Sequence, residues 1–154
     1  MPLGDLITPD AIIPAMRART RKQALLQMAE RAAAVSGLPV QQIYEAVLER
    51  ELQGATGVGS GIAMPHGLLA TAPFIFAVFS RFEPPVDFEA RDGASVDIAC
   101  MLIAPAHAGA DYLKALSRVA RVLHDRSFAA RIRSAKDASA IHLLLTQIPG
   151  SRAA

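Results

Sequence analysis

The chain has 154 residues, of which 52% are hydrophobic and 19% charged, and its 16 Lys and Arg against 14 Asp and Glu leave a net charge of +2. That length suits one domain with one buried core, and the composition excludes a disordered or tail-like protein, whose apolar content could not offset chain entropy. With no Trp, 5% aromatic residues and no dominant basic block, nothing marks a surface that tracks nucleic acid.

After an apolar start at Ala11-Ile12-Ile13, Thr20 can cap a helix running to about Ser36, with Leu25, Met28, Ala29 and Ala32 at core-facing spacing and Gly37 as its stop. Pro39 suits the first turn of a second helix, whose stripe of Ile43, Ala46, Val47 and Leu48 continues to about Gln53. Five of the ten glycines then fall between Gly54 and Gly67, a density that predicts a shaped loop rather than a helix or a central strand. Phe74–Phe79 and Val96–Ile103 read as near-continuous apolar strands of a sheet covered on both faces, and the segments Glu83–Asp87 and Arg91–Gly93 between them read as turns. A long helix follows over about 110–124, with Leu113, Leu116, Ala120 and Leu123 on its core face and Lys114, Arg118 and Arg121 opposite. Two shorter helices close the domain near 127–134 and 137–146, and Arg131, Arg133 and Lys136 read as a solvated helix face. The pattern predicts a single α/β domain over 1–154, three layers with a central apolar β-sheet flanked by helices on both faces, a core of about 6–147 and a tail after Pro149.

Cys100 is the one cysteine and lies in an apolar run, so neither a disulfide framework nor a cysteine zinc site can be built within the chain. The first residues lack the basic-then-apolar pattern of a signal peptide, and the longest apolar runs fall far short of the ~20 residues that span a bilayer. The expectation is a soluble protein of a reducing cytoplasm, with no membrane insertion.

From Leu52 to Ser80, 29 consecutive residues carry no Asp, Glu, Lys or Arg, and His66 is the one titratable side chain among them. Pro65 biases Met64 to an extended backbone and Gly67 permits close approach beyond the ring, so His66 is held in a defined position. An imidazole with a pKa near ~6.5 is mostly neutral at pH 7 and can act as nucleophile or proton shuttle. A histidine making a single backbone hydrogen bond in a loop is the competing reading. Gly57-Val58-Gly59-Ser60-Gly61 does not fit a phosphate loop, a dinucleotide fingerprint or a nucleophile elbow. Arg50, just ahead of the glycines, offers a planar guanidinium for phosphate oxygens, with an exposed ion pair to a neighbouring glutamate as the alternative. The spacing of His107, His124 and His142 gives no paired-histidine metal motif.

Arg50-Glu51, Gly54, Thr56-Gly57-Val58-Gly59, Gly61-Ile62-Ala63-Met64-Pro65-His66-Gly67, Val96-Asp97 before an apolar strand, and Leu113 with Leu116-Ser117 resemble the IIA component of the bacterial phosphoenolpyruvate-dependent phosphotransferase system. The resemblance is to the fructose/mannitol type, in its stand-alone nitrogen-regulatory branch, and extends from about Leu6 to Gln147. It implies a mixed sheet of about five strands, no cofactor and no metal. It also implies a phosphoryl group carried on His66, received from an HPr/NPr-like phosphocarrier protein and stabilised by Arg50. Regulatory target proteins such as a transporter or a sensor kinase follow as partners, with Met64, Pro65, Gly67 and Leu68 around the acceptor as the partner-binding residues.

Two positions depart from the family pattern. Tyr112 stands where relatives usually carry a second histidine, and a phenol can donate a hydrogen bond but supplies no imidazolium charge at neutral pH. His107, a few residues upstream, is a candidate substitute. Leu68 stands where the nitrogen-regulatory branch commonly has lysine, and with Leu69 it makes the surroundings of His66 apolar, which suits docking of a protein. Two other functions remain open from these residues: a binding module independent of phosphorylation, and a sugar-specific IIA component that passes phosphate to a IIB domain.

Overall fold

The computed structural model describes residues 3–147; the expected tail after Pro149 lies outside them. A short helix α1 (Leu3–Leu6) and a 3-10 turn (Pro9–Ala11) lead into strand β1 (Ile12–Met16). Helix α2 (Arg21–Ser36) begins where Thr20 accepts the Gln23 N–H, a cap that stabilises a helix by about 1 kcal/mol. It ends at Gly37, whose φ of 79° favours glycine. Helix α3 (Val40–Gln53) follows, with Pro39 just before it, and buries Ile43, Val47 and Glu51 one turn apart.

The glycine-rich segment is not the loop that its composition predicts. It folds into three short strands, β2 (Gly57–Gly59), β3 (Ile62–Ala63) and β4 (His66–Leu69). Ser60 and Gly61 join β2 to β3 with φ of 60° and 81°, the two positive values that a tight two-residue hairpin of matching twist requires. The hairpin is held from outside: Asp92 accepts the Ser60 N–H at 2.9 Å, and Arg133 donates to the Ser60 carbonyl at 2.8 Å. Arg133 also grips Asp97 through two nitrogens at 2.8 and 2.9 Å. It is therefore a clamp on the sheet rather than part of a merely solvated face.

Strands β5 (Phe76–Val86) and β6 (Val96–Pro105) form the centre of a six-stranded mixed sheet in the order β1-β5-β6-β3-β2, with β4 also on β6. β3 and β4 run parallel to β6 on the same side of it, and Pro65 between them still accepts the Leu102 N–H at 2.9 Å. The six strands thus form five strand lines, one of them interrupted where proline has no N–H to give. β5 starts two residues later than expected and runs through Pro84 and Pro85, read from sequence as turn residues. Both are exposed and sit where the β5–β6 register shifts between Arg81 and Val86, a place where no ladder N–H is needed. All of β6 except Asp97 is buried, as a strand covered on both faces should be.

Helices α4 (Ala110–His124), α5 (Arg126–Ser134) and α6 (Ala138–Thr146) complete the fold. α4 turns Ala115, Val119 and Leu123 inward, whereas Leu113, placed by its spacing on the core face, is 64% exposed. The small Ala115 lets the helix seat itself about one residue rotated from the leucine stripe. Adjacent strand residues point to opposite faces. A Cβ at Gly67 would lie within 3.2–3.3 Å of Ala46 and Val47 of α3, while the neighbouring His66 ring meets Tyr112 of α4. The sheet therefore separates α3 from α4, and the site lies where both helices reach past β4.

Candidate functional site

His66 is the first residue of β4, so its backbone is fixed by pairing with Leu102 of β6 rather than by a loop. Its Nδ1 lies 2.8 Å from the Met64 carbonyl oxygen. A carbonyl only accepts, so the bond places the proton on Nδ1 and leaves the Nε2 lone pair unengaged. Burial pushes the imidazole below its ordinary pKa. The Met64 carbonyl opposes that shift, the Arg50 guanidinium adds to it, and the Glu51 carboxylate opposes it. At neutral pH the ring is therefore neutral, with one free nucleophilic nitrogen.

Arg50 comes from the last turn of α3, where a cation suits the helix dipole. Its Nη1 donates to the Gly54 carbonyl at 2.8 Å, which folds the guanidinium back toward the glycine segment. It forms no ion pair among the described residues: of the two glutamates flanking it, Glu51 turns inward to meet Arg21, and Glu49 lines the same depression without pairing to it. Tyr112 lies in the first turn of α4, its ring centroid 6.1 Å from that of His66 at a tilt of 58°. Burial pushes its phenol above the ordinary tyrosine pKa, with Arg50 opposing, so the hydroxyl stays protonated. Arg50, His66, Leu68 and Tyr112 line one depression of about 430 Å³, and Arg50 and His66 also line a neighbouring one with Thr56, Leu116 and Ser117.

Of the four residues expected to meet a partner, Leu68 presents its side chain at 45% exposure, while Met64, Pro65 and Gly67 are buried. Met64 holds the ring and lines the second depression, and Gly67 packs β4 against α3 and lines the first. Leu69, expected to enlarge the apolar rim, turns into the core, because strand alternation sends it to the face opposite Leu68. His107 is exposed in the turn after β6 and lines neither depression. Cys100 is buried in β6, its thiol pushed up to about 12 by burial, so it offers no reactive thiolate. Among the described residues no cluster of three or more His, Cys, Asp or Glu is arranged to hold a metal ion, and no helix is long and apolar enough to cross a membrane.

Two contributors escape a reading of the sequence alone. Glu51 continues the buried row Ile43, Val47, Glu51 of α3 and is 1% exposed; a carboxylate where that row calls for an apolar residue is the signal that singles it out. Thr56, 6% exposed, gives its N–H and its hydroxyl to the two Glu51 oxygens at 3.0 and 2.6 Å.

The family model described as "Phosphoenolpyruvate-dependent sugar phosphotransferase system, EIIA 2" matches residues 5–148. A nitrogen regulatory protein of Bradyrhizobium diazoefficiens is 44% identical over 153 residues, covering 99% of this chain and 100% of its own length. Its counterpart in Escherichia coli is 33% identical over 150 residues, with 97% and 92% covered. The crystal structure of the nitrogen regulatory protein IIA-Ntr from Neisseria meningitidis superposes with a TM-score of 0.88 at 27% identity, over 94% of this chain and 99% of that one. The chain belongs to the EIIA 2 family of the phosphoenolpyruvate-dependent phosphotransferase system, and over nearly its whole length it is similar to that family's nitrogen regulatory proteins.

Proposed function

We propose that this protein is a cytoplasmic phosphoryl carrier: His66 takes a phosphoryl group at Nε2 from an HPr/NPr-like phosphocarrier, and the state of His66 governs which regulatory proteins are bound. The observation that carries the reading is the bond from Nδ1 to the Met64 carbonyl beside a guanidinium that forms no ion pair among the described residues. In the transfer the Nε2 lone pair forms the new N–P bond as the donor's N–P bond breaks, and the electron pair of that bond stays on the donor's ring. Nδ1 keeps its proton, and the positive charge that the ring gains is accommodated by the Met64 oxygen. Phosphoryl transfer needs chiefly positioning and charge stabilisation. Arg50 supplies the charge and the neutral Tyr112 phenol supplies a hydrogen-bond donor.

The surroundings suit docking and switching. Leu52, Val58 and Leu68 are exposed apolar side chains within the charge-free stretch, and such patches mark protein contacts. A phosphoryl group adds about −1.5 to −2 charges at pH 7, enough to change which partner that face tolerates. That the relatives matched end to end are nitrogen regulatory proteins supports regulation over delivery of phosphate to a IIB domain.

Incubation with phosphoenolpyruvate, enzyme I and the carrier, read by intact mass, is expected to add one acid-labile phosphoryl group to the parent and none to His66→Ala. Phosphorylation of His66→Ala at the parent's rate would overturn the proposal. Tyr112 favours a second reading, a phosphorylation-independent binding module. An inert parent with a phosphorylated Tyr112→His variant would establish that reading instead.

A further inference from the structure

We propose that Glu51 is the positioning residue of this site: acting through Thr56 and Met64, it fixes which ring nitrogen of His66 keeps the proton. The connection is continuous. Glu51 Oε2 accepts the Thr56 N–H at 3.0 Å and Oε1 accepts the Thr56 hydroxyl at 2.6 Å. The Thr56 carbonyl accepts the Met64 N–H at 3.0 Å. The Met64 carbonyl accepts the His66 Nδ1–H at 2.8 Å. Four bonds thus join the end of α3 to the start of β4, and Thr56 and Met64 are each held at both the N–H and the carbonyl. Pro65, next in the chain, restricts the Met64 backbone further.

Stability alone does not account for a carboxylate in this place. Glu51 is in the last turn of α3, where a negative charge opposes the helix dipole, and it is 1% exposed, where a charge is costly to bury. Its countercharge, Arg21 Nη1, is 3.6 Å away, and the same guanidinium also donates to Glu89 at 3.0 Å. Replacing a buried ion pair with apolar side chains is often neutral or stabilising. What an apolar residue cannot do is hold both donors of Thr56, and with them the carbonyl that selects the tautomer. Arg50 is the next residue in the chain, so the same anchor sets the end of the helix from which the guanidinium projects.

The mechanism rests on His66 as phosphoryl acceptor only in its kinetic arm. The tautomer itself is read on histidine-labelled protein by long-range nitrogen–proton correlation NMR, with no carrier present, so a protein that accepts no phosphoryl group leaves this test standing. The parent is expected to show one species, protonated at Nδ1. Methionine keeps the length of Glu51 but has no acceptor for either Thr56 donor, so Glu51→Met should lower the tautomer preference at least about tenfold, the size of one lost hydrogen bond. The maximal phosphorylation rate should fall by a similar factor at unchanged carrier affinity. Thr56→Ser retains the hydroxyl and the N–H and should behave as the parent. A folded Glu51→Met protein with the parent's tautomer overturns the proposal, whatever its rate. If that variant does not fold, Thr56→Val, which removes only the hydroxyl bond, decides by the same criterion.

Discussion

The molecule uses arginine in two opposite ways at the two ends of β6. At the Val96 end, Arg81 donates to the Pro14 carbonyl at 2.9 Å and to the Ile132 and Ala135 carbonyls at 2.9 and 2.7 Å, closing the end of α5 onto β1 and β5. Arg133 is as fully engaged, by Asp97 and the Ser60 carbonyl. At the Leu102 end, Arg50 gives one donor to Gly54 and has no ion pair among the described residues, although it lines both depressions beside His66. A guanidinium whose donors are matched by carbonyls and a carboxylate is a fastener. One left with spare donors beside a free imidazole nitrogen is available to a ligand with several oxygens. The difference separates structure from chemistry without reference to any relative.

The sharpest way to break the comparison is to exchange the two arginines' readouts. Arg50→Ala should lower the phosphorylation rate ~10²–10³-fold, the range for removing one donor that stabilises transition-state charge, while unfolding free energy changes by less than about 1 kcal/mol. Stopped transfer assays and denaturant melts check the pair. Arg81→Ala should do the reverse, losing about 3 kcal/mol of stability as several charge-assisted bonds to carbonyls disappear, with the transfer rate of the folded protein nearly unchanged. Equal effects of both variants on rate would dissolve the distinction.

Smaller effects sharpen it. Gly67→Ala places a methyl 3.2–3.3 Å from the Ala46 backbone and the Val47 side chain, too close without movement of α3. It should cost about 2 kcal/mol in a denaturant melt and also slow transfer, because α3 carries Arg50. The smallest effect is a pH dependence. The folded pKa of His66 is below its ordinary 6.5, so between the two values the unfolded chain binds the proton that the folded protein refuses. The stability contributed by keeping the ring neutral is present above about pH 6.5 and is lost as the pH falls toward the folded value. Melts of the parent and His66→Ala should diverge in that window, the parent weakening relative to the variant on acidification, and nuclear magnetic resonance titration of the ring should give a midpoint below 6.5.

The helices and the two apolar strands were legible because their signals are local: Thr20 and Gly37 bracket α2, and the unbroken run from Val96 to Ile103 announces a strand covered on both faces. What stayed hidden was set by partners distant in sequence. The short strands β2, β3 and β4 exist because Gly61 and Pro65 carbonyls and the β4 backbone find donors and acceptors on β6, and no pattern within 54–69 reports that. Pro84 and Pro85 read as a turn because proline cannot join a ladder, yet a register shift gives them a place along β5. At the site, His66 and Arg50 stood out as the lone titratable group and the last cation around a charge-free stretch. Leu113 and Leu69 were assigned to the wrong surroundings, since one residue of rotation or alternation decides which side faces the core. Glu51 was visible only as one letter in a motif until its burial beneath Thr56 showed what it touches.

The most direct test of the central claim is to locate the phosphoryl group on the ring. Histidine-labelled protein, phosphorylated by the carrier and observed by nitrogen–phosphorus coupling, should show phosphorus on Nε2 of His66 with Nδ1 still protonated. Phosphorus on Nδ1 would mean that the Met64 bond is broken for the reaction. Either that result or phosphorus on a residue other than His66 would contradict the account.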